Sequence, residues 1–353
     1  MQSCKSTRLM LIISIAVCCS SFCYKAMSAL SVMPSGRNKM VADERTKATA
    51  FNNFVKRLKH RAQEEGISKD AIEKGLAGVH YVTRVVNFDR NQLEEELSLD
   101  GYLTRTMTPT IVSEGRRKFK QYHSQLLAVS EQYGVDAAYI VALWGVESRY
   151  GHIQGNEAVV SALATLAFEG RRRQYFTSEL IAAIRLIDQQ KIMAPELKGS
   201  WAGAMGQIQF MPRAFLRYAT DGNGDGKIDI WNDVEDVFAS AANYLAHNGW
   251  HSGERWGEQV ELLPNFDSRK IGTSADKAKT IAQWCKEGVK LKNPRTSSNS
   301  QQRAWIIAPN GIKGRTFMIF DNFLALMNWN RSVYFALNVG MLADAITNGY
   351  IKV

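Results

Sequence analysis

Apolar residues recur at helical spacing along most of the chain. Phe51, Phe54, Val55 and Leu58 fall at i, i+3, i+4 and i+7, and Gly66 stands where such a helix would end. Ser68 reads as the N-cap of a second helix carrying Ile72 and Leu76. Over residues 114–133, Phe119, Tyr122, Leu126 and Val129 form one stripe, which predicts a single amphipathic helix followed by Gly134. Asp136 caps the next segment, where Ala137, Ile140, Val141, Leu143, Trp144 and Val146 cover nearly every side and so predict a helix buried all round. Helical spacing returns over residues 159–168 and 178–187, ahead of a glycine-rich loop that begins near Gly199. After Trp256 the period changes. Short β-prone runs at 260–263, 304–308 and 316–320 are separated by turn-rich or charged stretches, among them 293–302 with Pro294, and residues 322–346 read as helix again. The pattern implies a mostly helical α+β chain with a small sheet-containing insertion.

Composition narrows the functional classes. With 353 residues, 45% of them apolar, the chain can bury a sizeable core. Its 44 Lys and Arg against 34 Asp and Glu give a net charge of +10, of which +7 remains when Lys5, Arg8 and Lys25 of the acid-free first 29 residues are set aside. That excess suits an anionic partner. No basic block is interleaved with aromatics, which argues against nucleic acid, and 8 Trp with 12 Tyr suit sugar stacking equally well.

The start of the chain bears on its compartment. Lys5 and Arg8 precede an apolar run at 9–17, and the small residues Ala26, Ser28 and Ala29 follow, the order of a secretory signal peptide over residues 1–29. The run is too short to span a bilayer, and the competing reading is an uncleaved amphipathic anchor. Cys4, Cys18, Cys19 and Cys23 lie in this leader, so the mature chain keeps Cys285 and no internal disulfide is expected. A lipoprotein signal wants a small residue before the modified cysteine, but Val17 precedes Cys18 and Phe22 precedes Cys23, so lipid anchoring has weak support. Residues 30–50 are expected to form a linker.

Two segments carry candidate chemistry. Glu147 lies in Trp144-Gly145-Val146-Glu147-Ser148-Arg149-Tyr150-Gly151, where an apolar helix runs out into glycine. Desolvation there would raise the carboxyl pKa, as a general acid near neutral pH requires. Arg149 could instead hold Glu147 ionised in a structural salt bridge, and the spacing leaves both readings open. The loop GSWAGAMGQIQFMP at 199–212 joins small residues, amides and aromatics, a surface suited to an acetamido sugar. Its other reading is a tight turn whose glycines serve only geometry.

A third segment, DGNGDGKI at 221–228, opens like an EF-hand loop. Asp221, Asn223 and Asp225 offer side-chain oxygens at positions 1, 3 and 5, Gly226 stands at 6, and Lys227 would give its carbonyl. Asn232 replaces the usual glutamate at position 12, so Glu235 or Asp236 would have to close the site, and a solvated turn without metal is the alternative. The six histidines show no metal-ligand spacing. The run from Arg171 to Arg173 reads as a solvated helix start, or as a meeting point for carboxylates.

Taken in order, WGVESRYG around Glu147, Arg171-Arg172-Arg173 before Tyr175-Phe176, GSWAGAMGQIQFMP, DGNGDGKIDIW, AANYLAHNGW and Asn330-Arg331-Ser332 resemble successive signatures of the B-type lytic murein transglycosylases. The resemblance runs from about Phe51 to the end. It implies a lysozyme-like catalytic core over 135–256, preceded by a helical region over 51–134, interrupted by a small β-containing insertion over 257–321 and completed by a helical part over 322–353. It further implies cleavage of the β-1,4 bond between N-acetylmuramic acid and N-acetylglucosamine in peptidoglycan without water, leaving 1,6-anhydromuramic ends; with the leader, an exported, periplasmic monomer is expected. Glu147 matches the single acid/base. Ser200 and Gln209 match polar contacts to the sugar, and Arg171, Arg172, Tyr244 and Asn330 match other substrate-contacting positions. Among the candidate ligands, Asp236 fits the family pattern, with calcium as a structural ion and no cofactor needed for chemistry. Trp329 and Phe335 stand at positions where the resemblance admits tyrosine, so no hydroxyl contact is expected from either. A muramidase hydrolysing the same bond and a non-catalytic wall-binding protein are the competing functions.

Overall fold

The computed structural model describes residues 34–91, 98–190, 192–292 and 300–347. The leader expected over 1–29, and most of the turn-rich stretch from Asn293, lie outside the described residues. By internal contacts the chain forms two units. One takes the described residues of Glu94–Tyr150 and Phe238–Val353, the other those of Ala16–Leu93 and Gly151–Val237. This grouping divides the stretch 135–256, expected as one core, at Tyr150 and at Val237.

In the second unit, the almost wholly buried helix Val159–Glu169 packs against Arg173–Gln190, which buries the face from Phe176 to Ile187. Gly170, at φ 89°, turns the chain between them. Lys69–Leu76 packs on Arg173–Gln190, and its expected N-cap is present: the Ser68 hydroxyl accepts from Ala71 N and also donates to Asp188 at 2.8 Å. The long helix Pro34–Glu64 docks by Phe51, whose ring meets Tyr81 and Phe168 edge-on. That helix starts at Pro34, so residues 34–50 are helical and not the expected linker. Ala, Lys, Arg and Glu, all good helix formers, recur from Arg37 onward, and the lack of an apolar stripe hid the helix.

In the first unit, the helix Ala137–Ser148 is surrounded by Pro109–Gln121, His123–Tyr133 and Val333–Thr347. Asp136 caps it, accepting from Ala138 N at 2.8 Å, as its position in the sequence predicts. The single helix expected over 114–133 is instead two helices that break at Tyr122, with φ −107° and ψ 27°. Tyr122 leaves the helical conformation to set its ring edge-on against Trp144 and Phe238, distant partners that a local stripe does not reveal.

The three β-prone runs form strands Gly257–Leu262, Arg303–Ile307 and Thr316–Ile319. With Lys279–Thr280 and Val289–Leu291 they make a five-stranded antiparallel sheet in the order 279, 303, 316, 257, 289 by first residue. One face buries Val260, Trp284, Ala304, Ile306 and Met318 in a small core of its own. The sheet leads into the helices Asp321–Trp329 and Val333–Thr347, separated by Asn330-Arg331-Ser332. Among the described residues no helix is long and apolar enough to cross a membrane.

Candidate active site

Glu147 sits in the last turn of the buried helix, 7% exposed. The chain leaves this helix through two left-handed residues, Arg149 at φ 51° and Tyr150 at φ 59°. Two consecutive non-glycine residues in that region cost roughly 1–2 kcal/mol each. Tyr150 offsets part of this by folding back under the helix, where its ring meets Trp144 at 5.6 Å and its hydroxyl donates to the Ile111 carbonyl at 2.8 Å. Gly145 leaves room for that ring.

Burial pushes the Glu147 carboxyl up to about 8, against a smaller downward pull from a hydrogen bond donated by Trp329. Arg149 contributes nothing to this shift, so the salt-bridge reading is not the one the fold adopts. Trp329, the last residue of its helix, donates its indole N–H to Glu147 Oε1 at 2.7 Å. Where the sequence promised no hydroxyl, the indole supplies a polar contact of its own. Phe335 is fully buried. Tyr244 packs edge-on against Trp329 with ring centres 4.7 Å apart, and its hydroxyl donates to the Asn328 carbonyl at 2.7 Å. Asn330 caps the end of the Trp329 helix and accepts from Ser332 N at 3.1 Å. Glu147, Tyr244 and Asn330 are thus gathered in one unit, with Trp329 at their centre. Sequence reasoning missed Trp329 as the partner of Glu147. The signal available was chemical, since a buried indole N–H needs an acceptor.

The second unit holds Ser200, Gln209, Arg171 and Arg172. The short strand Lys198–Gly199 pairs with Glu157–Ala158 and leads into the glycine-rich loop. Ser200 closes the first turn of that loop: its amide donates to Ala204 O at 2.7 Å, and its hydroxyl accepts from Ala204 N at 3.1 Å. Met205 and Phe210 then exchange two backbone hydrogen bonds of 2.8 and 3.0 Å. Gln209 is left-handed at φ 50° and donates its side-chain amide to Gly206 O at 2.8 Å and Gln154 O at 3.1 Å, which holds the conformation. Arg171 forms a two-pronged pair with buried Asp89, at 2.7 and 3.0 Å. Arg172 reaches the same carboxylate at 3.4 Å and lies over the Phe176 ring at 4.6 Å. The arginine run is therefore tied into the fold at Asp89, 82 residues earlier, and is not a simple solvated helix start.

The loop from Asp221 is an all-oxygen array. Asp221 accepts from Gly224, Asp225 and Gly226 amides, Asn223 from Asp225, and Asp225 from Lys227. These bonds fold Asp221, Asn223, Asp225 and the Lys227 backbone into one compact turn, and hard oxygen donors of this kind fit calcium by their chemistry. Asp236 is buried, and each of its oxygens accepts a backbone amide, from Gly222 and Asp229 at 2.6 Å. Among the described residues no three His, Cys, Asp or Glu side chains gather as a metal cluster.

Comparison with known proteins gives this architecture a place. The family described as Transglycosylase SLT domain matches residues 50–344. Membrane-bound lytic murein transglycosylase B of Escherichia coli (strain K12) is 29% identical over 346 residues, which cover 88% of this chain and 93% of the relative. The crystal structure of SltB3 from Pseudomonas aeruginosa in complex with NAG-anhNAM-pentapeptide has a TM-score of 0.79 at 37% identity, covering 84% of this chain and 79% of that one. The structure of the Escherichia coli lytic transglycosylase Slt35 in complex with calcium has a TM-score of 0.72 at 27% identity, covering 86% and 94%. The α+β, mostly helical and lysozyme-like fold is common to these enzymes. A family match over nearly the whole described chain, joined to that fold, means that this chain belongs to the transglycosylase SLT domain family and is a peptidoglycan lytic transglycosylase.

Proposed function

We propose that Glu147 alone serves as acid and then base in cleaving the β-1,4 bond between N-acetylmuramic acid and N-acetylglucosamine, leaving 1,6-anhydromuramic ends. The observation that carries this reading is the buried carboxyl raised to about 8, whose shift includes no neighbouring carboxylate. Hydrolytic glycosidases use two carboxyl groups, one for the leaving oxygen and one for water or the sugar. A single acid suffices when the nucleophile belongs to the substrate. Glu147 donates its proton to the glycosidic oxygen as the bond to the muramic C1 breaks, and the acetamido oxygen supports the cation. The carboxylate then removes the proton from the C6 hydroxyl, whose oxygen closes on C1. Glu147 ends protonated, and no water is consumed. Holding both reacting groups in one sugar supplies proximity, and exclusion of water favours ring closure.

In the same proposal Ser200, Gln209, Arg171, Arg172, Tyr244 and Asn330 contact the glycan or its peptide. Support comes from relatives: SltB3 from Pseudomonas aeruginosa has been crystallised with NAG-anhNAM-pentapeptide and with NAG-NAM-pentapeptide. Residues 1–29 direct export to the periplasm, in line with the membrane-bound relative. The test is mass spectrometry of products from purified peptidoglycan. Ends one water lighter than hydrolysis products are expected; reducing ends would make the protein a muramidase, and no products would favour a binding role.

The loop from Asp221 is proposed to hold structural calcium through Asp221, Asn223, Asp225, the Lys227 carbonyl and Asp236, whose carboxylate also accepts the Gly222 and Asp229 amides. The calcium complex of Slt35 supports this. At 100 times its dissociation constant a native-state ligand adds about 2.7 kcal/mol. Millimolar calcium is therefore expected to raise the melting temperature reversibly, EDTA undoing the gain. A melting curve indifferent to both would discard the ion.

A further inference from the structure

Trp329 fixes more than the orientation of Glu147. Its indole N–H can only donate, whereas a tyrosine hydroxyl can donate or accept. At 2.7 Å from Oε1 it requires that oxygen to be an acceptor in both ionisation states of the carboxyl. In a protonated carboxyl the carbonyl oxygen is the better acceptor, so the favoured form carries its proton on Oε2. The indole is itself held: Tyr244 stacks edge-on against it, and the Tyr244 hydroxyl is anchored to the Asn328 carbonyl one residue before Trp329. An asymmetric, donor-only contact on one oxygen of a 7% exposed carboxyl thus distinguishes two otherwise equivalent atoms.

We propose that Trp329 is a positioning residue that reserves Glu147 Oε1 as an acceptor and confines the transferable proton to Oε2. Oε2 is then the atom that gives its proton to the glycosidic oxygen and later takes the one from the C6 hydroxyl. The inference rests on the proposed role of Glu147 only for this last consequence; the proton's location on Oε2 stands without it. Other ionisable groups do not explain the asymmetry. On the helices packed against that of Glu147, Glu114 pairs with Arg117, Arg116 donates to the Ala345 carbonyl, Lys118 lies over the Trp144 ring, His123 meets Phe119, Asp344 answers Arg255, and Lys120 and Glu131 are exposed. Burial and the indole bond are the causes of the Glu147 shift, and none of these groups is among them.

The test combines infrared difference spectroscopy with pH–rate profiles on the mature protein. The C=O band of protonated Glu147 is assigned by its disappearance in Glu147→Gln. In Trp329→Phe, loss of the bond to the carbonyl oxygen is expected to move that band to higher frequency. The alkaline limb of kcat/KM should also rise by roughly one pH unit, because the bond favours the ionised form. In Trp329→Tyr, whose hydroxyl can also accept, the band is expected to split into two as both proton positions become populated. If Trp329→Phe does not fold, the tyrosine variant decides. A folded Trp329→Phe with the wild-type band and pH limb, or a single unmoved band in Trp329→Tyr, would overturn the proposal. The infrared readout needs no turnover, so a failure of the acid/base reading, seen as an active Glu147→Gln, is separable from a failure of this one.

Discussion

Glu147→Gln is expected to lower turnover by about a hundredfold to ten-thousandfold while making the protein more stable at alkaline pH. The two effects share one cause. The folded-state pKa is near 8, against an ordinary value of 4.5. Between those values the folded chain holds a proton that the unfolded chain has released. Stability therefore declines as pH rises from 4.5, by about 1.4 kcal/mol per pH unit, until the buried carboxyl ionises near 8. Below 4.5 both states are protonated and the burden disappears. Glutamine carries no such burden, so its gain should be absent at pH 4 and greatest, on the order of several kcal/mol, at pH 8 to 9. Urea melts across that range measure it. The activity of the unmodified enzyme should fall as pH rises through about 8, since only the protonated acid can begin the reaction. Retained turnover in the glutamine variant would remove Glu147 from the chemistry, and a pH-independent stability difference would mean that its carboxyl is not raised.

The second large effect is expected at a residue without a functional group. A methyl added at Gly145 would stand 2.6 Å from the Tyr150 ring, closer than real Cβ contacts come. The ring has nowhere to retreat, because Tyr150 is 3% exposed, left-handed, packed on Trp144 and hydrogen-bonded to the Ile111 carbonyl. Overpacking of this kind costs about 1–3 kcal/mol, against a gain of up to about 1 kcal/mol for alanine over glycine in a helix. Gly145→Ala should therefore lower stability by roughly 1–2 kcal/mol, and activity should fall with it, since Glu147 lies two residues beyond in the same turn. A double-mutant cycle separates the clash from any other cause. In a Tyr150→Ala background, which is itself destabilised, the Gly145→Ala change should become neutral or favourable. Additive penalties would contradict this account of the helix end.

Much of the local structure was legible. Ser68 and Asp136 cap the helices that their positions announced, because a cap is a short-range hydrogen bond between residues two or three apart. The change from helical to alternating period after Trp256 marked the sheet. Misreadings arose where distant partners or weak patterns decided the outcome. Tyr122 breaks the helix expected over 114–133 to reach Trp144 and Phe238. The polar stretch 34–50 is helix, although no apolar stripe marked it.

The same division runs through the site. The sequence determined that Glu147 would end a buried apolar helix and be desolvated there, since the apolar residues around it in the chain dictate that outcome. It also determined the oxygen array at Asp221, where the side-chain oxygens of Asp221, Asn223 and Asp225 accept amides only two to five residues on. Only the tertiary structure decided who would touch these groups. Trp329 reaches Glu147 across 182 residues and Asp89 takes up Arg171 across 82. Arg149, two residues from Glu147 and the partner that proximity suggested, plays no part in its ionisation. Periodicity encodes which face of an element is buried; the identity of the group that meets it is set by packing among elements far apart in the chain.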